Sequence, residues 1–338
     1  MRILFSSSDA GGANSILSIV NLLRENGDDL MFAIDGPSIG LFRDKKINFI
    51  SGSGLEDGKL GALVEKFKPE VFVSGTSLGY SIEKKLLVIT RKKKIRSISI
   101  MDSWHNYWQK FSGAKKDFKY LPDFICAPDK EAKREMIREG FDSKIIKVTG
   151  NPYFEVFLRK VRIGRTIRNK ILFISQPISA LNKNRKINNY GYDEIRTVAD
   201  IIAVLKSIGF DGKFCIRAHP SESEKKFEQF LGERPFSIYL DRESVVETSV
   251  SESGLIIGMT SIVLFLAQTI GKHVISYQPG ASEKISRNRY RFGELISNKE
   301  DLEQELKGYL IGKNGNAKKE IKLVKNAAAN VVGIIHSL

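Results

Sequence analysis

Short apolar runs alternate with segments of helical periodicity along most of this chain. The runs have the length of strands buried on both faces, and the segments between them repeat apolar residues every three or four positions. In the first half we predict strands at residues 2–7, 30–35, 47–50, 70–75, 95–102, 123–128 and 144–150. We predict helices at residues 16–24, 61–68, 81–93 and 129–140. This alternation predicts an open, mainly parallel sheet with helices on both faces.

The alternation stops near residue 150 and restarts near residue 170. The stretch 159–170 contains six basic residues and little apolar content. Beyond it we predict strands at 170–175, 213–218, 236–240, 254–258, 273–278 and 291–295, and helices at 193–207 and 316–335. The sequence therefore predicts an α/β protein with two Rossmann-like, doubly wound domains facing a cleft, at 1–155 and 170–315, with a linker at 156–169. The helical segment 316–338 either crosses back over the cleft or packs on another subunit.

Polar residues follow the first predicted strand at its carboxyl end, where open α/β sheets bind ligands. We interpret the stretch Asp9-Ala10-Gly11-Gly12 as part of a turn before the first helix. Gly11 and Gly12 allow a ligand to approach the backbone closely, and the free N–H groups of the helix start suit an anion or a sugar hydroxyl. An ordinary tight turn explains the same residues, and both interpretations stay open.

A second polar stretch, 102–108, follows the strand at 95–102 and contains both tryptophans of the chain. Aromatic rings beside Asp102 and His105 suit a sugar whose hydroxyl gives up a proton. Asp9, Asp102 and His105 are therefore three candidates for a catalytic base, and the sequence does not choose among them. A packed surface loop is the alternative interpretation.

Four further polar clusters end strands in the second half of the chain. Thr260 and Ser261 can cap the helix that follows them, and the same helix start can bind a diphosphate. Arg217 can neutralise a phosphate, and His219 can donate a hydrogen bond to a phosphate oxygen of a leaving nucleotide. A purely structural histidine is the alternative. The four clusters together contain Ser175, Gln176, Arg217, His219, Thr260, Ser261, Gln278 and Gly280.

The net charge of +15 limits the partners of this chain. Many surface lysines on a soluble protein explain it, and so does an anionic ligand or an anionic membrane surface. Nucleic acid is the least favoured partner because no recognisable nucleic-acid motif is present and the basic clusters lack interleaved aromatic residues.

Two cysteines and one long uncharged run bear on the cellular location. Cys126 and Cys215 lie within apolar runs, which indicates buried thiols in a reducing compartment and predicts a cytoplasmic protein. The uncharged run 253–271 has the length of a membrane span, but it divides into a strand, a turn and a helix. The first apolar run is too short for a signal peptide.

Three stretches resemble elements of the GT-B fold, which nucleotide-sugar glycosyltransferases and UDP-N-acetylglucosamine 2-epimerase share. They are VTGNPYFE at 148–155, RAHP at 217–220 and GMTSIVLFLAQTIGKHVISYQPG at 258–280. The second is similar to the His-Pro motif of bacterial sialyl-, polysialyl- and CDP-glycerol-type transferases. The resemblance implies an acceptor site in the N-terminal half and a nucleotide-sugar donor site in the C-terminal half. It implies no metal or other cofactor, and the chain has no Asp-x-Asp triplet to hold a metal.

Two departures from the family pattern affect the predicted reaction. The donor helix has Leu266-Ala267 where many members have an acidic residue followed by alanine, and the Gly-Thr-Arg-Pro-Glu stretch of the epimerases is replaced by SSSDAGGAN. We therefore predict a metal-independent glycosyltransferase that moves a sugar to a polysaccharide, glycolipid or protein acceptor. The basic surface suits an anionic or lipid-linked acceptor, or docking at the inner membrane face. An epimerase and a non-catalytic module that binds nucleotide-sugar or glycan are the alternatives.

Overall fold

The computed structural model describes residues 1–161, 166–182, 190–242, 245–281, 294–312 and 323–338. The chain divides into two compact units. The first unit consists of Met1–Val156 and Lys322–Leu338, and the second unit consists of Phe157–Ile321. Each unit is built on one sheet, and every pairing between neighbouring strands of these sheets is parallel.

The first unit contains a seven-stranded sheet in the order β3-β2-β1-β4-β5-β6-β7. Its strands are β1 Arg2–Ser7, β2 Asp29–Ile34, β3 Ile50–Ser51, β4 Val71–Ser74, β5 Arg96–Ile100, β6 Phe124–Ala127 and β7 Ile146–Val148. The helices up to the unit boundary are α1 Ala10–Leu17, α2 Val20–Glu25, α3 Ser38–Asp44, α4 Asp57–Phe67, α5 Ile82–Lys92, α6 Tyr107–Lys110, α7 Lys130–Arg138 and α8 Pro152–Lys160.

Alternate residues of β1 enter two different apolar cores. Ile3 and Phe5 pack with residues of α1 and α2 on one face of the sheet, whereas Leu4 packs with residues of α4 and α5 on the other. Because successive strand residues point to opposite faces, this division shows that helices cover both faces. The apolar run Ile3-Leu4-Phe5 within β1 is therefore the sequence of a strand with no face toward water.

The second unit contains a six-stranded sheet in the order β10-β9-β8-β11-β12-β13. Its strands are β8 Ile167–Ile174, β9 Lys213–Arg217, β10 Ser237–Leu240, β11 Ser253–Gly258, β12 His273–Tyr277 and β13 Glu294–Ile296. The helices are α9 Ile178–Asn182, α10 Glu194–Ser207, α11 Val246–Glu252, α12 Ile262–Thr269 and α13 Lys299–Leu310, with a 3₁₀-helix at Glu224–Phe230. Residues 291–293 of the last predicted strand lie outside the described residues.

The uncharged run 253–271 forms β11 and α12, as the sequence predicts. Both elements are largely buried in the second unit, which explains their continuous apolar character. In the part of the chain that the structure describes, we find no helix with the length and hydropathy needed to cross a bilayer.

The last helix, α14 Ala327–His336, belongs to the first unit. Val331, Val332 and Ile335 complete the apolar core on the α1 side of the sheet. Glu155 of α8 accepts a hydrogen bond from the backbone N–H of Ala327 at 2.7 Å and thereby caps the helix start. The helix is shorter than predicted, and residues 316–322 of the predicted segment lie outside the described residues.

Three predictions of secondary structure in the first unit are wrong. The stretch after β1 is helical from Ala10, and the predicted helix 16–24 is two helices, α1 and α2. Gly11 and Gly12 therefore lie in the first turn of a helix, although glycine is a poor helix former. They are needed there because α1 packs too closely on the neighbouring loops for side chains at these positions. The predicted strand 47–50 is reduced to Ile50–Ser51 at the sheet edge.

Candidate functional site

The carboxyl ends of β1, β4 and β5 are neighbours in the first sheet and bring three carboxylates together. Asp9 follows β1 at the start of α1, and Asp102 follows β5. Glu83 lies in the first turn of α5, which follows β4. Both Glu83 and Asp102 act electrostatically on Asp9. This position, the carboxyl edge of a parallel sheet, is where such folds place ligands.

Asp102 is held as a carboxylate by a buried lysine. The Nζ atom of Lys110 lies 2.5 Å from Oδ1 of Asp102, and the Lys110 side chain is only 5% exposed. The hydroxyls of Thr76 and Ser103 also donate to Oδ1, at 3.1 and 3.2 Å. Desolvation opposes the charged form of Asp102, but the attraction and hydrogen bond of Lys110, with smaller help from His105 and Thr76, outweigh it. They hold the pKa of Asp102 below its ordinary value of 3.8.

Asp9 has the opposite shift. Its pKa is raised from 3.8 to about 7, first by desolvation and then by the negative charges of Glu83 and Asp102, while the Lys110 charge opposes the rise. The residue is open to solvent even so. Water reaches it, but dense surrounding protein and two like charges still disfavour its ionisation. At neutral pH, Asp9 is therefore divided between its acid and its carboxylate form.

The two glycines of α1 make this arrangement possible. A Cβ atom on Gly11 would lie 2.1 Å from Oδ2 of Asp102, which is far inside van der Waals contact. A Cβ atom on Gly12 would lie 2.9 Å from the Cα atom of Gly75, in the loop after β4. The glycines therefore let α1 approach the ends of β4 and β5, and Gly11 brings the helix against the Asp102 carboxylate. Binding of a ligand by their N–H groups stays a prediction.

The aromatic residues of the stretch 102–108 are largely structural. Trp104 is 2% exposed, its indole N–H donates to Asp129 at 2.8 Å, and its ring packs against Phe154. It therefore offers no face to a sugar. Trp108 is half-buried, and binding of a sugar to its ring stays a prediction. His105 is half-buried and close enough for its charge to lower the pKa of Asp102.

In the second unit, the carboxyl ends of β8 and β11 are tied together by Gln176. Its Oε1 atom accepts hydrogen bonds from the backbone N–H and the hydroxyl of Thr260, at 2.7 and 2.9 Å. Ser261 caps α12, as predicted, by accepting from the N–H of Val263 at 3.3 Å. The loop that leads into the helix start is thus fixed by side chains of the predicted cluster itself.

His219 lies at the end of β9 in a defined tautomer. The backbone N–H of Ser221 donates to its Nδ1 atom at 3.2 Å, so the proton of the neutral ring is on Nε2. Desolvation and the nearby Lys226 charge lower the pKa of His219 from 6.5 to about 4. At neutral pH, His219 is therefore a neutral ring with one N–H to donate.

A buried carboxylate holds the His219 turn in place. Glu222, whose side chain is 1% exposed, accepts from the backbone N–H of His219 at 2.7 Å and from the hydroxyl of Ser175 at 3.1 Å. The Nζ atom of Lys226 lies 2.5 Å from Oε1 of Glu222 and 2.5 Å from Oε1 of the buried Glu194. The stretch Arg-Ala-His-Pro-Ser-Glu therefore contains its own brace, with Glu222 three residues after the histidine.

Three residues of the predicted ligand-binding site have structural roles. Arg217 forms a 2.6 Å ion pair with the buried Asp241, so much of its charge is compensated. Gln278 is fully buried. It accepts from the hydroxyl of Tyr192 at 3.1 Å and donates to the carbonyl of Met259 at 3.1 Å. Gly280 has a φ of 75°, a conformation that favours glycine. These residues stabilise the conformation of the loops that form the predicted site.

Sequence reasoning missed Glu83, Lys110, Glu222 and Lys226. Glu83 follows Ser81 in the first turn of α5, which is a common place for an acidic residue and gives no sign of function. Lys110 is eight positions after Asp102 and pairs with it only because the chain turns back through α6. The His-x-x-Glu spacing at 219–222 is a usable signal, since a glutamate three residues along can accept from a backbone N–H.

Comparison with known proteins finds similar three-dimensional structures but no similar sequences. No protein-family model matches the chain, and no curated protein matches its sequence. A UDP-GlcNAc 2-epimerase from Neisseria meningitidis, solved with UDP-GlcNAc, is 15% identical, with a TM-score of 0.70 and full coverage of both chains. One from Methanocaldococcus jannaschii, solved with UDP-GlcNAc and UDP, is 14% identical with a TM-score of 0.72, again over both full chains.

The same comparison also finds MurG from Acinetobacter baumannii, at 14% identity and a TM-score of 0.57, covering 100% of this chain and 99% of that one. The chain has the GT-B fold. This confirms the predicted α/β class and the GT-B fold that the three short motifs resemble. At such low identity the comparison shows the fold alone.

Proposed function

We propose that this protein is an enzyme that acts on the sugar of a nucleotide-sugar. The observation that supports this most directly is the pair of carboxylates Asp9 and Asp102, whose pKa values are shifted in opposite directions by their surroundings. Such a pair supplies a proton donor and a proton acceptor at the same pH, which is the usual sign of acid–base chemistry. The GT-B neighbours solved with UDP-GlcNAc support a nucleotide-sugar as the substrate.

The second unit is proposed to bind the nucleotide. The start of α12, preceded by Thr260 and Ser261, presents backbone N–H groups that suit a diphosphate. The neutral His219 donates its Nε2 proton to a phosphate oxygen and needs no change of charge to do so. Ser175 and Gln176 fix the neighbouring loop. No metal is required for this role, because the N–H groups and the helix dipole stabilise the negative charge.

Epimerisation at a sugar carbon is the reaction that the carboxylate pair fits best. Inversion of a carbon centre requires a base that removes a proton from one face and an acid that supplies a proton on the other. The electron pair of the broken C–H bond forms a double bond to the neighbouring ring carbon and expels the nucleotide from it. Return of the nucleotide to that carbon, with protonation of the opposite face, restores the sugar in its inverted form. Asp102, kept ionised by Lys110, serves as the base, and Asp9 in its protonated form serves as the acid. Their roles exchange in the reverse reaction, so no net proton is consumed. The epimerase neighbours support the same conclusion.

Glycosyl transfer is the second candidate. One observation favours it: Asp9 combines exposure to solvent with a pKa of about 7, as expected of a general base that takes a proton from an incoming acceptor hydroxyl. The acceptor would be a glycan or a lipid-linked sugar. MurG, a glycosyltransferase of the same fold, supports this candidate. The net charge of +15 would assist docking of the protein on an anionic membrane that holds such an acceptor.

Product analysis in D₂O separates the two reactions. The purified chain is incubated with UDP-, CMP- and GDP-sugars in turn, and the sugar is examined by NMR. Epimerisation places deuterium on a ring carbon and needs no acceptor, whereas transfer releases nucleotide only when an acceptor is added. Asp9→Asn should abolish either reaction, because Asp9 is the acid in epimerisation and the base in transfer. Asp57→Asn, which changes an exposed carboxylate on α4, should leave the activity intact. Nucleotide binding without any turnover would favour the non-catalytic alternative.

A further inference from the structure

One buried lysine of the first unit has no part in the proposed acid–base chemistry. Lys84 lies in the first turns of α5 and is only 3% exposed. Its Nζ atom donates to the carbonyl oxygens of Gln109 at 3.1 Å and Ser112 at 2.9 Å, and it lies 5.3 Å from the centre of the Tyr120 ring. Lysine is rarely buried to this extent unless it is paired with a carboxylate. Both of these hydrogen-bond partners are neutral carbonyls, so the burial of Lys84 needs another explanation.

Lys84 is charged at neutral pH although its position disfavours a cation. Desolvation lowers the pKa of Lys84 from 10.5 to about 8, while the charges of Glu83 and Asp117 oppose this change. The positive end of the α5 dipole also disfavours a cation near the start of the helix. In compensation, a charged donor forms stronger hydrogen bonds than a neutral one. The two bonds to carbonyls are therefore firm contacts between α5 and the segment 109–112.

The two carbonyls lie on either side of Lys110 in the sequence. Helix α6 is a single turn that ends at Lys110, so its carbonyls lack the full set of partners that a longer helix supplies. Lys84 donates to the carbonyl of the residue before Lys110 and to the carbonyl two residues after it. A cation at the end of a helix also interacts favourably with the helix dipole. The backbone that carries Lys110 is thereby fixed to α5.

The start of α6 is held from a different helix. The hydroxyl of Tyr107 donates to Glu135 of α7 at 2.5 Å, and the backbone N–H of Trp108 donates to Glu139, directly after α7, at 3.1 Å. A helix of one turn is not stable by itself and depends on such tertiary contacts. These two contacts fix the residues that precede Lys110. The ammonium from α5 adds the contacts at the other end of the turn.

We propose that Lys84 is a positioning residue that holds the end of α6, so that the ammonium of Lys110 stays against the carboxylate of Asp102. The distance of 2.5 Å between Nζ of Lys110 and Oδ1 of Asp102 depends on the position of the backbone at the end of α6. Lys84 acts on this ion pair through that backbone. The importance of the pair for turnover rests on the proposed function, whereas the contact itself is a property of the free protein.

The two lysine ammonium groups can be observed directly by ¹⁵N NMR of the full-length protein. Buried, hydrogen-bonded ammonium groups exchange their protons slowly with water, and the signals of Lys84 and Lys110 are identified by their loss in Lys84→Met and Lys110→Met. In Lys84→Met we expect the proton exchange of the Lys110 ammonium to accelerate about tenfold, because the end of α6 is released. Loss of a like charge alone would favour the charged form of Lys110 and slow its exchange. Unchanged or slower exchange overturns the proposal.

Lys85→Met is the matched control. Lys85 is the next residue of α5, but its Nζ atom donates to the carbonyl of Leu55, before α4, at 3.0 Å. The control variant removes the same charge from the same helix without a contact to α6. It should leave the exchange of the Lys110 ammonium unchanged. Equal acceleration in both variants would show a general loss of stability and overturn the positioning role.

The wild-type protein tests the contact even if Lys84→Met does not fold. Scalar couplings across the hydrogen bonds are expected from Nζ of Lys84 to the carbonyl carbons of Gln109 and Ser112, and their absence overturns the proposal. If the variant folds, its turnover should fall while its affinity for the nucleotide is retained; unchanged turnover contradicts the proposal. The NMR experiments use no substrate. A wild-type protein without turnover therefore refutes the proposed function and leaves the result on the Lys84 contact intact.

Discussion

Replacement of Lys110 by methionine should damage both the stability and the activity of this protein. Lys110 and Asp102 are 5% and 18% exposed, and their charged atoms are 2.5 Å apart. At an effective dielectric constant of about 20, this separation corresponds to an attraction of about 7 kcal/mol. The desolvation of the ammonium offsets part of that attraction. Since the variant leaves Asp102 without its counter-ion among two further carboxylates, we expect a loss of about 3–5 kcal/mol in the free energy of unfolding.

The pH dependence of the loss identifies its cause. Asp102 has a lowered pKa in the folded protein, so its ionised form stabilises the fold above pH 3.8, and this stabilisation disappears as the pH falls through the folded pKa. Lys110→Met removes the cause of the lowering. The difference in unfolding free energy between the two proteins should therefore be large at pH 7 and decrease as the pH falls below 3.8.

Denaturant unfolding at several pH values measures this difference. Asp102→Asn and the double variant complete a thermodynamic cycle, in which the double variant should be more stable than Lys110→Met because it buries no unpaired charge. Turnover of the single variant should fall at pH 7 and partly recover at higher pH, where Asp102 ionises again. A loss below about 1 kcal/mol at pH 7, with turnover unchanged, would show that the pair does not hold Asp102 in its charged form.

The remaining predictions concern the other residues of the two units. Asp9→Asn should stabilise the fold above pH 7 and have no effect below pH 3.8. An acid whose pKa is raised in the folded state opposes folding as the pH rises between these two values. Thermal unfolding at pH 3.5 and pH 8 measures the difference. Gly11→Ala should lower the melting temperature and abolish turnover, because its Cβ atom would displace Asp102; Gly61→Ala, at an open helical position, is the control. His219→Ala should weaken binding of a nucleoside diphosphate about tenfold, as measured by calorimetry. The loss of affinity should be the same at pH 6 and pH 8, because His219 is neutral at both pH values. A loss of affinity confined to pH 6 would show that a charged ring binds the phosphate. Glu222→Gln should weaken the same binding less than His219→Ala and lower the melting temperature, because it loosens the His219 turn; unchanged stability would exclude its role as a brace.

The positions of the strands followed from the sequence because both sheets are buried on both faces. A strand without a polar face is a continuous apolar run, and Ile3-Leu4-Phe5 and the run Leu255-Ile256-Ile257 show this most simply. The turn before α1 was misplaced for a physical reason. Glycine disfavours helices in general, and the close packing that requires Gly11 and Gly12 in α1 is a property of the folded chain.

Only part of the candidate site could be predicted from the sequence. Asp9, Asp102 and His219 attracted attention because each follows a strand at its carboxyl end, where such folds bind ligands. The residues that set their protonation states did not, since Lys110 and Glu83 are ordinary helix residues in the sequence. Their effects depend on distances, and a distance between residues many positions apart is decided by the path of the chain.

The sequence by itself determined the α/β class, the two-part organisation and the strand ends where chemistry is possible, because these follow from local patterns of apolar and polar residues. Only the tertiary structure decided that Asp102 is ionised, that Asp9 holds a proton near neutral pH and that His219 is neutral. The first two properties depend on desolvation and on charges brought together from β1, β4, β5 and their following helices, whereas the neutral His219 depends on desolvation and the charge of Lys226. A pKa depends on neighbours in space, and the order of residues along the chain does not specify those neighbours.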